Sequence, residues 1–166
     1  MQVSDTRTVE LRLNARDLVH GDLSELSTWL NPLEVSLLEK QTTNETPNSD
    51  CLVVSLHNGA VVAKGAIIYD ERPGVGIIGS LVVRPELRSL GIGSFLIQAS
   101  EERIRARGID VAVLDVEESN PRARLLYERL GYEQYASEAH SWDQQAEDGT
   151  IYRYETICTL MRKGLR

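Results

Sequence analysis

The sequence predicts an α/β protein: a single domain over residues 1–166, with a mixed, mostly antiparallel twisted sheet of about six or seven strands flanked by about four helices. Asn58-Gly59 joins two apolar, strand-like runs, which is a strong short-range hairpin signal because both turn positions tolerate positive φ. Past Gly91 the apolar period changes from that of a strand to that of a helix, and after Gly108 it changes back. A strand, a helix and a second strand in that order make a crossover, so the two strands should lie parallel.

Residues 8–13 alternate as a short first strand, and residues 15–29 place Leu18, Val19, Leu23 and Leu26 at near-helical spacing. Asn31-Pro32 punctuates, residues 33–40 read as a second helical piece, and residues 41–50 are polar, contain Pro47 and read as a loop. The hairpin strands are residues 52–56 and 60–69. Residues 70–74 form another turn, so the strand ending at Val83 should pair antiparallel with its predecessor. Ile92, Phe95, Leu96 and Ala99 then recur at three and four through about four helical turns, with Gly108 at the helix C′ position. Residues 111–116 are the parallel strand. Asn120-Pro121 supplies an N-cap and a first-turn proline, Ala123, Leu126, Tyr127 and Leu130 mark one face, and Gly131 closes the helix. Residues 132–139 and 151–160 read as the last strands, separated by a polar loop over residues 141–150.

A chain of 166 residues buries roughly two-thirds of its unfolded surface, enough for one core. Lys plus Arg 18 against Asp plus Glu 25 gives a net charge of −7, which argues against a nucleic-acid footprint and suits a cationic partner. No apolar run approaches the ~18 residues of a membrane span, and residues 1–10 lack the apolar segment of a signal peptide. A cytoplasmic protein is expected. Cys51 and Cys158 have no Cys or His at metal-ligand spacing in sequence and read as reduced core or strand residues, with no metal expected.

The chemistry concentrates in two blocks. In Arg88-Ser89-Leu90-Gly91-Ile92-Gly93, a strand breaks into a glycine-rich turn at a helix start, where free amides and the helix dipole favour an anion such as a pyrophosphate. Downstream, strand residues 111–116 lead to Asn120, Ala123 and Tyr127, and an aromatic residue, Tyr132, follows Gly131. Gly74-Val75-Gly76-Ile77-Ile78-Gly79 formally satisfies a dinucleotide fingerprint, but it precedes a strand-like run instead of opening a helix, so it reads as a turn and strand.

The first block resembles the Arg/Gln-x-x-Gly-x-Gly/Ala signature of the GCN5-related N-acetyltransferases (GNAT), and the second matches that family's asparagine, alanine and tyrosine spacing. The resemblance implies the acyl-CoA N-acyltransferase fold, acetyl-CoA as co-substrate, and attack by a primary amine of a small molecule or protein. It places the pyrophosphate on the amides of Arg88, Ser89, Leu90, Gly91, Ile92, Gly93 and Ser94, and the pantetheine arm along Leu81, Val82 and Val83. Arg88 either fixes the turn or pairs a phosphate. Asn120 caps its helix or also touches the cofactor, and Tyr127 is the expected catalytic acid, a phenol of pKa ~10 able to protonate the departing thiolate.

The chain departs from the family where a strand acid often serves as base, since Gly79 and Ser80 stand there. Glu117, Glu118, Asp70, Glu71 and His140 are substitutes by position, and the base is unassigned. The acceptor site should lie between the early helices and the loop over residues 141–150, where Trp142, Asp143, Glu147 and Asp148 form an acidic, aromatic wall or a solvated loop. The expected partners are acetyl-CoA and an amine acceptor, with no nucleic acid and no membrane, and with a homodimer left open. A non-catalytic acyl-CoA sensor, and an O-acetyl or longer-chain acyltransferase, are the alternatives.

Overall fold

The computed structural model describes residues 4–43 and 45–166. Its seven strands are β1 (Leu13–Asp17), β2 (Ser49–Leu56), β3 (Val61–Ile68), β4 (Gly76–Val83), β5 (Val111–Glu117), β6 (Glu133–Gln145) and β7 (Ile151–Gly164). The helices are α1 (Leu23–Leu26), α2 (Pro32–Thr42), α3 (Ile92–Ala106) and α4 (Pro121–Arg129). The strands form one sheet in the order β1-β2-β3-β4-β5-β7-β6, antiparallel throughout except for the parallel pair β4 and β5.

The two faces of the sheet have separate cores. In β2, Leu52 and Val54 join the larger cluster with Ile92, Leu96, Ile97 and Ile104 of α3, whereas Cys51 and Val53 turn to the other side with Leu26 of α1 and Leu38 of α2. Period two along one apolar strand thus feeds both layers. Cys51 and Cys158 are both buried free thiols, as expected. Helix α3 lies so close to β4 that a β-carbon on Gly76 would stand 2.5 Å from Cγ1 of the fully buried Ile104.

The hairpin between β2 and β3, the antiparallel β3–β4 pair and the crossover through α3 form as the sequence predicts. Gly108 and Gly131 follow the helix ends with φ of +76° and +91°.

Three expectations are overturned. The first strand is not residues 8–13 but Leu13–Asp17, and the helix expected over residues 15–29 shrinks to a 3-10 turn at His20–Asp22 followed by the single turn of α1. The free edge of β2 takes Ala15, Arg16 and Asp17 as strand partners. Arg16 then reaches Asp22 with two 2.7 Å hydrogen bonds, while the same carboxylate accepts from the Val19 amide at 3.0 Å. These pairings are non-local, and local periodicity cannot register them.

The polar loop expected over residues 141–150 is also strand. Strands β6 and β7 continue to Gln145 and from Ile151, leaving only residues 146–150 as the turn. Cross-strand pairs hold this hairpin: Trp142 faces Tyr154 with ring centroids 5.2 Å apart, and the Tyr152 hydroxyl donates to Gln144 Oε1 at 2.8 Å. Its residues are largely exposed, so little apolar alternation marks it in the sequence.

The hydrogen bonds from Arg16 hold the Asp22 carboxyl below its ordinary value of 3.8, against the opposing effect of burial. A lowered folded pKa means a stabilisation fully present above pH 3.8 and lost as pH falls through the folded value. Asp22→Asn should therefore cost about 1–3 kcal/mol at pH 7, with the gap to wild type closing in acid. Urea midpoints at pH 7 and below pH 3.8 check both the sign and the window.

Candidate active site

Strands β4 and β5 hydrogen-bond only where Gly76–Ile78 faces residues 112–114. Beyond Ile78, β4 follows β3, while β5 stays with β7 through Glu117, and the two parallel strands part. A bulge drives the separation: Ser80 and Leu81 of β4 together oppose Gly65 of β3, and Ser80 takes the left-handed φ of +51°. Gly65 leaves room for this packing: a β-carbon there would lie 2.7 Å from Leu81 Cδ2 and 3.3 Å from Leu96 Cδ2, and those side chains would have to shift.

At the end of β4 the chain turns into α3. Arg84 N–H donates to the Val62 carbonyl at 2.8 Å, a 3-10 turn spans Pro85–Leu87, and Arg88 Nε reaches back to the Val83 carbonyl at 3.4 Å. Arg88 thus ties the turn to its strand. Ser89 at φ +67° and Gly91 at φ +81° reverse the backbone, and the Ser89 hydroxyl accepts from Arg122 of α4. Phe95 N–H is the first amide of α3 to find an i−4 carbonyl, that of Gly91 at 3.0 Å. Among the described residues the backbone amides of Ser89, Leu90, Gly91, Ile92, Gly93 and Ser94 donate to nothing.

This run of free donors at the start of a fifteen-residue helix is the chemistry a pyrophosphate requires. A β-carbon at Gly91 would meet nothing within 4 Å, and one at Gly93 only Val83 Cγ2 at 3.8 Å, so the space over the amides is open. The residues therefore fit the acyl-CoA the turn suggests.

A cavity of about 920 Å³ extends from the parting strands to α2 and the β6–β7 hairpin. Of the residues predicted to line the site, Leu81, Val82, Asn120 and Tyr127 form its wall, joined by Gly79 and Ser80 from the position of the missing strand acid. Val83 and the turn from Arg88 to Ser94 lie outside it. The Asn120 side chain accepts from the Ala123 amide at 3.1 Å, so it caps α4. The Tyr127 hydroxyl makes no hydrogen bond among the described residues, and burial, aided by the Asp115 charge, pushes its phenol up to about 12. It keeps its proton at neutral pH.

The acids divide sharply. Glu117 is at the cavity wall but accepts from the Tyr154 hydroxyl at 2.6 Å, whereas Glu118 is exposed and outside it. Asp70 accepts from Asn48 at 3.0 Å, Glu71 is at the rim, and Glu147 and Asp148 are beyond the cavity. His140 is placed differently from a surface histidine. Strand β6 carries it to the cavity wall, with Nδ1 3.1 Å from Asp115 Oδ2 and Nε2 3.5 Å from Glu138 Oε2. Glu138 is itself bonded to Arg72 at 2.6 Å.

Donor atoms of Asp115, His140 and Cys158 lie within 4.8 Å of one another, a juxtaposition of three strands that spacing in sequence conceals. Burial, with the neighbouring acids, pushes the Cys158 thiol up to about 11, so in the metal-free protein it is a protonated thiol at neutral pH. Sequence reasoning also missed Lys64 in the cavity wall, although a lysine inside Val61–Ile68 was its visible signal.

The chain belongs to the acetyltransferase (GNAT) family, whose model matches residues 19–132. A mycothiol acetyltransferase from Stackebrandtia nassauensis is 28% identical over 118 residues, covering 71% of this chain and 34% of that protein. An L-methionine sulfoximine/L-methionine sulfone acetyltransferase from Pseudomonas aeruginosa is 41% identical over 68 residues, covering 39% of this chain and 40% of that protein. The matches thus span well under half the length of these relatives. Among solved structures, the ribosomal-protein-S18-alanine N-acetyltransferase from Escherichia coli superposes with a TM-score of 0.68 at 18% identity, covering 93% of this chain and 94% of that one. A spermidine/spermine N-acetyltransferase from Vibrio cholerae gives 0.69 at 19% identity, covering 92% of both chains. These superpositions establish the shared fold.

Gly91→Ala would place a β-carbon over the free amides and hold a non-glycine residue at φ +81°, at a backbone cost of about 1–2 kcal/mol. The variant should fold, melt lower, and bind acetyl-CoA at least about tenfold more weakly. Calorimetry below its melting temperature checks this, and unchanged affinity would remove the turn from the binding site.

Proposed function

We propose that the protein is an N-acetyltransferase that moves the acetyl group of acetyl-CoA to a primary amine by direct attack. The observation that carries this reading is the parting of β4 and β5 between a run of free amides at one end and Tyr127 with the cavity at the other. Acetyl-CoA supplies an activated thioester. The amides from Ser89 to Ser94 would hold its pyrophosphate, and the unpaired edge of β4 from Leu81 to Val83 would bind and orient the arm.

Tyr127 is assigned the role of general acid. Its hydroxyl is free, its burial keeps it protonated, and it can give that proton to the thiolate sulfur as the carbon–sulfur bond breaks. The amine must lose a proton as its nitrogen bonds to the carbonyl carbon, and His140, oriented by Asp115, is the acceptor for that proton that the cavity wall best provides. Relatives whose names specify acetyl transfer support the reaction class, and the names of several neighbours specify amine acceptors.

Acetylation of a broad amine panel, followed by release of free CoA, tests the reaction. Absence of turnover in a folded, acetyl-CoA-binding protein would favour the sensor alternative, and a cofactor-length series would identify a longer-chain acyltransferase. Tyr127→Phe keeps the ring and should lower turnover roughly 10²–10⁴-fold with little change in acetyl-CoA affinity. Wild-type turnover in that variant would reduce Tyr127 to packing.

His140→Gln should lower kcat roughly 10²-fold, whereas Glu118→Gln, an exposed position outside the cavity, should leave it near wild type. Equal effects in the two variants would discard His140 as the proton acceptor. Steady-state kinetics on whichever amine turns over best checks both.

A further inference from the structure

Lys64 is 5% exposed, lies in the middle of β3 and borders the cavity. Its strand partners are Val53 and Val82, both in the apolar cluster that α1 and α2 cover, so its stem is packed while its tip borders the open space. Among the described residues its ammonium makes no hydrogen bond and has no carboxylate within ion-pairing distance. The other cations of the cavity wall are engaged: Arg72 with Glu138 at 2.6 Å, and Arg153 with Asp143 at 3.2 Å. Glu34 is the acid whose charge reaches Lys64, yet its carboxylate accepts from the Asn31 amide in the cap of α2.

An ammonium that reaches a cavity on a packed stem, with no carboxylate paired to it, is placed to receive an anionic group of a ligand. That group would also sit close to the reacting carbon, because Lys64 pairs directly with Val82, one strand away from the gap in which the thioester is proposed to lie.

We propose that Lys64 is the anion-recognition residue of the acceptor site, and that the acceptor is an amine bearing a carboxylate, of the amino-acid type. The inference rests on the acetyl-transfer reading given above. The ammonium of Lys64 would pair with the acceptor carboxylate while the acceptor nitrogen faces the thioester. Burial lowers the pKa of Lys64, and an arriving carboxylate would oppose that shift. Anion recognition thereby completes a charge that the fold alone leaves bare.

The test measures acetyl-CoA-dependent CoA release with amino acids, their α-amides and the corresponding decarboxylated amines, for wild type, Lys64→Met and Lys64→Arg. In the wild type, kcat/KM for an amino acid should exceed that for its amide by about 10- to 100-fold, the range expected for a charge-assisted contact. Lys64→Met should lose that preference through a higher KM for the acid, with the amide unchanged, and Lys64→Arg should retain it. Acetyl-CoA affinity by calorimetry should be the same in all three and reports that each is folded. Equal use of acid and amide by the wild type overturns the role of Lys64 while leaving acetyl transfer standing. So does a preference that survives in Lys64→Met, or a loss there that is equal for all three acceptor classes. Failure of the whole panel overturns both readings together, and if Lys64→Met does not fold, the wild-type ratio and Lys64→Arg still decide.

Discussion

Once β4 has passed Ile78 and β5 has passed Leu114, the two parallel strands share no further hydrogen bonds, and the candidate site exists because of that separation. Each strand keeps its other neighbour, so the sheet loses only one ladder and the unpaired edges face a gap that a ligand backbone can enter. The bulge at Ser80 and Leu81 sets where the gap opens, and Gly65 leaves room there for Leu81 against Leu96. A pocket of this kind needs no loop of its own. Two strands diverging from a common start form it.

Helix α3 carries the second half of the arrangement. Its apolar face is locked onto β4 by Ile104 over Gly76, which holds the other end of the helix against the mouth of the gap. Because the αL turn at Ser89 and Gly91 uses up no amide from Ser89 to Ser94, the helix presents its free donors as a group. Glu101 anchors the same helix from its buried side, accepting from Tyr132 at 2.9 Å and from Lys163 at 2.9 and 3.0 Å. That carboxylate is enclosed yet fully engaged, which is the condition for a buried charge to be tolerated.

The opposite wall is built on different physics. The β6–β7 hairpin is largely exposed and is held by cross-strand polar and aromatic pairs, yet it brings His140 to Asp115 and Trp142 to the cavity. Proton traffic and acceptor choice would therefore depend on this hairpin and on Lys64, while cofactor binding would depend on the β4–α3 turn. The two functions are carried by separate elements, and a change in one wall can leave the other intact.

Local chemistry is what the sequence determined by itself: the Asn58-Gly59 hairpin, the glycine-rich turn into α3, the Asn120 cap and the position of Tyr127 all rest on residue types whose backbone or capping preferences act within a few positions. The family signature was legible for the same reason, since its two blocks are contiguous. What lay beyond reach depends on partners far away in the chain. Residues 15–17 became strand because β2 offered an edge, and the polar stretch after Ser141 became strand because β7 ran opposite it. His140 was one of five substitute bases by position until β5 set Asp115 beside it, and Lys64 went unnoticed until the sheet placed it against the cavity. Sheet register and long-range ion pairs are decided by tertiary structure, because their free energy comes from contacts that no window of neighbouring residues contains.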